Sequence, residues 1–105
     1  MRMTKSDREL RLLSLMHDRL NGFLAGTLGI GQAISDLEGL LLALEEATDD
    51  WLRRFQTEWG TLEVFYALAL EHGDAVLPDD SVPELRRAAE CMSAMVDREI
   101  GDSNA

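Results

Sequence analysis

The sequence predicts an all-α protein, a small four-helix bundle with antiparallel up-down helices. Two observations carry that reading. Apolar residues recur at three- and four-residue steps along the chain, the period of a helical face, and never alternate as in a half-buried strand. Capping signals precede three of the four periodic segments: Ser6 with Glu9, Thr48 with Asp49 and Asp50, and Ser81 with Glu84. At 105 residues the chain fits one domain spanning residues 1–105, and its 46% hydrophobic content is enough to fill one core.

The first helix is predicted over residues 7–25. Ser6 and Glu9 have the capping-box spacing, in which hydroxyl and carboxylate each bind the other's amide. Leu13, Met16, Leu20 and Phe23 or Leu24 form its apolar face, and Gly26 is placed to end it in a left-handed conformation. Gly22 inside it is a weak point, costing about 1 kcal/mol against alanine.

The second helix is predicted over residues 30–47, with Gly29 as N-cap and a stripe of Ile30, Ala33, Ile34, Leu37, Leu41 and Leu44. The connector of Thr27, Leu28 and Gly29 is so short that these two helices must be antiparallel neighbours.

The third helix is predicted over residues 49–72, before Gly73. Thr48 caps it, and Asp49 and Asp50 stand at the positive end of its dipole. Trp51, Phe55, Trp59, Leu62, Tyr66 and Leu70 recur along it, and Gly60 is a place where it could bend. The run Val64 to Leu70 is apolar all round, as in a central helix or one covered by a second subunit.

Residues 74–80 make the one long loop, with Pro78, and the fourth helix is predicted over residues 82–100. Pro83 is tolerated in its first turn. Leu85, Ala88 or Ala89, Met92, Met95 or Val96 and Ile100 line it, and Gly101 should close it, leaving residues 102–105 frayed.

Charge narrows the function. The net charge is −10: residues 1–19 sum to +2, residues 20–85 to −11 and residues 86–105 to −1. Direct nucleic-acid binding is disfavoured, because phosphates are neutralised by Lys and Arg. A basic protein, by contrast, would be steered to the middle of the chain. No stretch approaches the roughly 20 apolar residues of a membrane span. Behind Arg2 and Lys5, charged residues stand where a signal peptide has its apolar core, so cytoplasm is the expected location. The single cysteine, Cys91, cannot make an internal disulfide, in keeping with a reducing compartment.

Catalytic chemistry finds little footing. His17 and His72 stand in no HExxH or ExxH spacing and read as surface histidines. Cys91, between Glu90 and Met92, lacks the base or positive surroundings that make a thiolate nucleophile. No catalytic residue, metal ligand or cofactor is expected, and the chain reads as a non-enzyme. A small helical enzyme of the chorismate-mutase kind would need basic side chains to hold a dicarboxylate, and residues 20–85 offer only Arg53 and Arg54.

The segment Phe23-Leu24-Ala25-Gly26-Thr27-Leu28, followed by Ile34, resembles the "Phe-Leu-small-Gly-x-Ile" hairpin of small bacterial immunity proteins of the colicin D type. Leu28 stands at the isoleucine position. Ala33 and Ile34 stand where family members often carry an aromatic residue, and Gly29 where they often carry a serine cap. The matching residues, within about 12–44, are packing and capping groups and carry over no functional residue. What the resemblance implies is inhibition of a toxin nuclease by an acidic helical protein that covers a basic active site.

The partner-binding residues expected on this reading are Glu38, Glu45, Glu46, Asp49, Asp50, Trp51, Glu58 and Glu63. The carboxylates would steer a basic partner and an exposed tryptophan edge would anchor it. Glu71, Asp74, Asp79 and Asp80 form a second acidic cluster around the loop before the fourth helix. Asp7 and Glu9, set among the basic residues of the first helix, are expected to matter little. The alternative is a structural or regulatory module, a homodimer through Val64 to Leu70.

Overall fold

The structure is a computed structural model that describes residues 5–71 and 82–104, with side chains through Gly101. It consists of α1 (Asp7–Leu24), α2 (Ile30–Ala43), α3 (Asp49–Glu71) and α4 (Val82–Asn104), with no strand among the described residues. Each helix packs on the next in chain order, and α4 closes the ring against α1. The result is an antiparallel up-down bundle of 51 × 24 × 19 Å. The α1–α4 packing is the most extensive and the α2–α3 seam the thinnest. His72, Ser81 and the acids of residues 74–80 lie outside the described residues.

The core is the one the periodicity implies. Leu13, Met16 and Leu20 of α1 meet Ile34, Leu37 and Leu41 of α2, Phe55 and Leu62 of α3, and Leu85, Met92 and Val96 of α4. Trp51 stacks on Phe55 with ring centroids 5.1 Å apart. Each such side chain contributes about 1.5–3 kcal/mol by leaving water. Ala88 and Ala89 are also fully buried, small side chains that let the neighbouring helices approach α4.

The α1–α2 hairpin forms as expected, and Gly26 adopts φ +81°. The Gly26 amide donates to the Phe23 carbonyl at 3.1 Å, and the Thr27 and Leu28 amides both donate to the Gly22 carbonyl. Gly22 is more than a weak point in a helix. A β-carbon there would lie 3.3 Å from Leu28 Cβ, so glycine makes room for the returning chain.

Two helix ends, those of α2 and α4, differ from expectation by more than one residue. α2 ends at Ala43 rather than residue 47, because Leu44 turns extended with φ −67° and ψ 135°. α3 runs through Gly60 as one helix. α4 continues past Gly101 to Asn104, so residues 102–104 are helical rather than frayed.

Candidate acidic interface

The start of α1, the α2–α3 turn and the last turns of α4 share one end of the bundle. There the early exit of α2 has a clear cause. Glu9 is only 1% exposed. Its carboxylate accepts the Glu45 amide at 2.9 Å and the Glu46 amide at 2.7 Å. A buried carboxylate is costly unless well bonded, and two backbone donors freed by the end of α2 meet that need.

The return contact comes from Glu46. One oxygen accepts the Ser6 amide at 3.0 Å and the other accepts the Ser6 hydroxyl at 2.6 Å. Ser6 Oγ in turn accepts the Glu9 amide at 3.2 Å. The capping box at the start of α1 is therefore only half local. Ser6 caps Glu9 as expected, but the carboxylate on the Ser6 amide belongs to Glu46, while Glu9 reaches across to the turn. These bonds from the Ser6 side chain and amide, with Lys5 and Arg8 nearby, lower the Glu46 pKa. Glu9 thus has a structural role the sequence reading did not assign it, joining α1 to the α2–α3 turn.

The eight expected interface residues divide accordingly. Glu46 is held by Ser6, and Glu45 lies 3.7 Å from Arg8. Asp50 faces Arg54 at 3.9 Å with both side chains exposed, a weak pair. Glu58 is half-buried on the α4 side, 3.1 Å from Arg87. Trp51 is 5% exposed, a core residue that cannot serve as a protruding anchor. Glu38, Asp49 and Glu63 are exposed and have no ion-pair partner among the described residues.

These three acids flank one seam. Trp59 donates its indole N–H to the Ile34 carbonyl at 3.3 Å, fixing where α3 meets α2. Glu38 and Leu42 follow Ile34 by one and two turns, while Asp49, Gln56 and Glu63 recur at seven-residue steps along α3. Leu42, 78% exposed, is the most exposed large apolar side chain described. Its position was legible: it falls off the stripe that buries Leu37 and Leu41. Glu9 was legible too, four residues before Leu13 on the stripe that buries Met16 and Leu20.

His17 lies 3.2 Å from the Asn21 side chain and 4.0 Å from Asp97, a surface arrangement. Among the described residues no group of three or more His, Cys, Asp or Glu is arranged to hold a metal ion. Nor is any described helix long and apolar enough to cross a membrane. The class these features define is a small acidic up-down helical bundle. Compared with protein-family models, with curated proteins and with solved structures, the chain matches none.

Proposed function

We propose that this chain is a non-enzymatic binding protein, an immunity-type inhibitor that masks the basic active site of a bacterial toxin nuclease in the cytoplasm. The observation that carries the reading is the α2–α3 face, where Glu38, Asp49 and Glu63, without an ion pair among the described residues, share one side of the bundle with the exposed Leu42. Unpaired carboxylates keep their field for a partner, whereas Glu46 and Glu58 spend theirs on Ser6 and Arg87. Leu42 takes the anchoring role first assigned to Trp51, an apolar contact inside a charged rim. The resemblance of the α1–α2 hairpin to immunity proteins supports the same reading.

The test is a pull-down with the products of neighbouring genes, followed by an assay of any retained nuclease. Retention of a basic nuclease, inhibited at one-to-one stoichiometry, is the expected result. Retention of no basic protein, or a complex whose nuclease stays active, would contradict it.

A second reading is favoured by one specific observation. Val64 is 59% and Leu68 42% exposed on the outer side of α3, a surface a second copy could cover in a homodimeric module. Exposed Glu63 and Glu71 on the same helix weigh against close pairing of two copies. Light scattering on the eluting protein separates the readings, since a persistent dimer broken by Leu68→Glu would favour the second.

A further inference from the structure

A cleft of about 550 Å³ opens between α3 and α4, on the opposite side of α3 from the α2 seam. Its lining includes short side chains, Cys91 and Ala94 of α4 and Thr57 of α3. Trp51 and Met95 add apolar surface to the same lining, which Arg54 and Arg98 share.

The charges around the cleft are not balanced in the way its lining suggests. Of its two acids, Glu58 is held by Arg87 and Glu99 by Lys5, each at 3.1 Å. The cations on the rim are not matched in return. Arg98 has no ion pair among the described residues, and Arg54 has only its distant, exposed pair with Asp50. On a chain of net charge −10, two guanidiniums in a partly apolar lining, little engaged by the described acids, make a local site of opposite character.

We infer that this cleft binds a small amphiphilic carboxylate, an anion whose single carboxylate sits on Arg54 and Arg98 while its apolar body lies over Trp51 and Met95. The volume falls in the range of small-molecule sites, and the mixture of an apolar lining with a few polar groups is what such sites use. Arginine suits the carboxylate end, because its planar guanidinium presents paired donors to two oxygens. The site is separate from the acidic α2–α3 face, so it stands or falls independently of the proposed function.

Octanoate is the probe, with octanol and octyltrimethylammonium as neutral and cationic matches of the same tail. Amide chemical shifts are followed by NMR below the micelle threshold. Reaction of Cys91, the only cysteine, with a chromogenic disulfide gives a second readout. Octanoate should shift signals of residues 51–58 and 91–98 and slow the thiol reaction, while octyltrimethylammonium does neither and octanol binds more weakly. R54Q/R98Q, checked for fold by circular dichroism, should weaken octanoate roughly tenfold or more, the scale of a lost charge-assisted bond. R98Q alone serves if the double variant misfolds. Equal binding of octanol and octanoate, undiminished binding by the arginine variant, or shifts confined to other surfaces would overturn the assignment.

Discussion

Glu9 has more to lose than any other carboxylate described, because its two amide bonds are made out of water. Glu9→Gln keeps one acceptor but sets an amide N–H₂ against a backbone donor. A cost of about 1–3 kcal/mol in urea unfolding is expected, with Glu9→Ala at the upper end or beyond. Asp7→Asn removes only a first-turn charge from an exposed site and should cost less than about 1 kcal/mol. Ser6→Ala removes both the cap on Glu9 and the hydroxyl on Glu46, for about 1 kcal/mol. Glu46 adds a pH dependence. Its pKa is depressed in the folded chain, chiefly by the Ser6 hydroxyl, so its stabilising contribution is present above the ordinary glutamate range and lost as pH falls through the folded value. Glu46→Gln should therefore flatten part of the acid limb of stability against pH, measured by thermal unfolding. An unchanged acid limb would show that the Ser6 bonds contribute nothing in solution.

At the scale of elements, the helices and their starts were legible because every buried stripe has the helical period, but the C-terminal ends of α2 and α4 were not. Sequence period alone carries α2 on through Leu44 to Ala47. The competing partner is Glu9, some 36 residues earlier, whose carboxylate captures the Glu45 amide at the turn. No local pattern reports such a long-range bond. Half of the capping box differed for the same reason: Ser6 caps the Glu9 amide as expected, but the carboxylate on the Ser6 amide is Glu46 instead of Glu9. The α2–α3 seam holds another contact invisible to spacing. At Gly31 a β-carbon would fall 2.7 Å from the Tyr66 hydroxyl oxygen. Gly31→Ala should thus gain little or lose up to about 1 kcal/mol, its helix propensity offset by displacement of Tyr66. In a Tyr66→Leu background the same substitution should stabilise by roughly 0.5–1 kcal/mol, and a double-mutant cycle by denaturant unfolding measures the difference. Additive effects would mean that ring and glycine do not meet.

For the whole molecule, chain-wide charge counts concealed how the fold redistributes charge. Between Arg19 and Arg53 the sequence has no cation, yet folding carries Arg8 and Lys5 to the α2–α3 turn, and Arg87 to Glu58. Among the described residues Glu38, Asp49 and Glu63 are left without an ion pair on that side, whereas Glu45, Glu46 and Asp50 are engaged. At physiological salt the Debye length is about 8 Å, so these charges act on a partner already near the face. The most direct measurement is stopped-flow association of a basic partner retained in the pull-down, across a salt series, with two triple variants. E38Q/D49N/E63Q should slow association roughly tenfold at low salt and flatten its salt dependence. E45Q/E46Q/D50N, which removes acids already engaged within the chain, should change the rate less. Equal rates for wild type and the first variant, or a larger loss in the second, would contradict the assignment of the α2–α3 face as the docking surface.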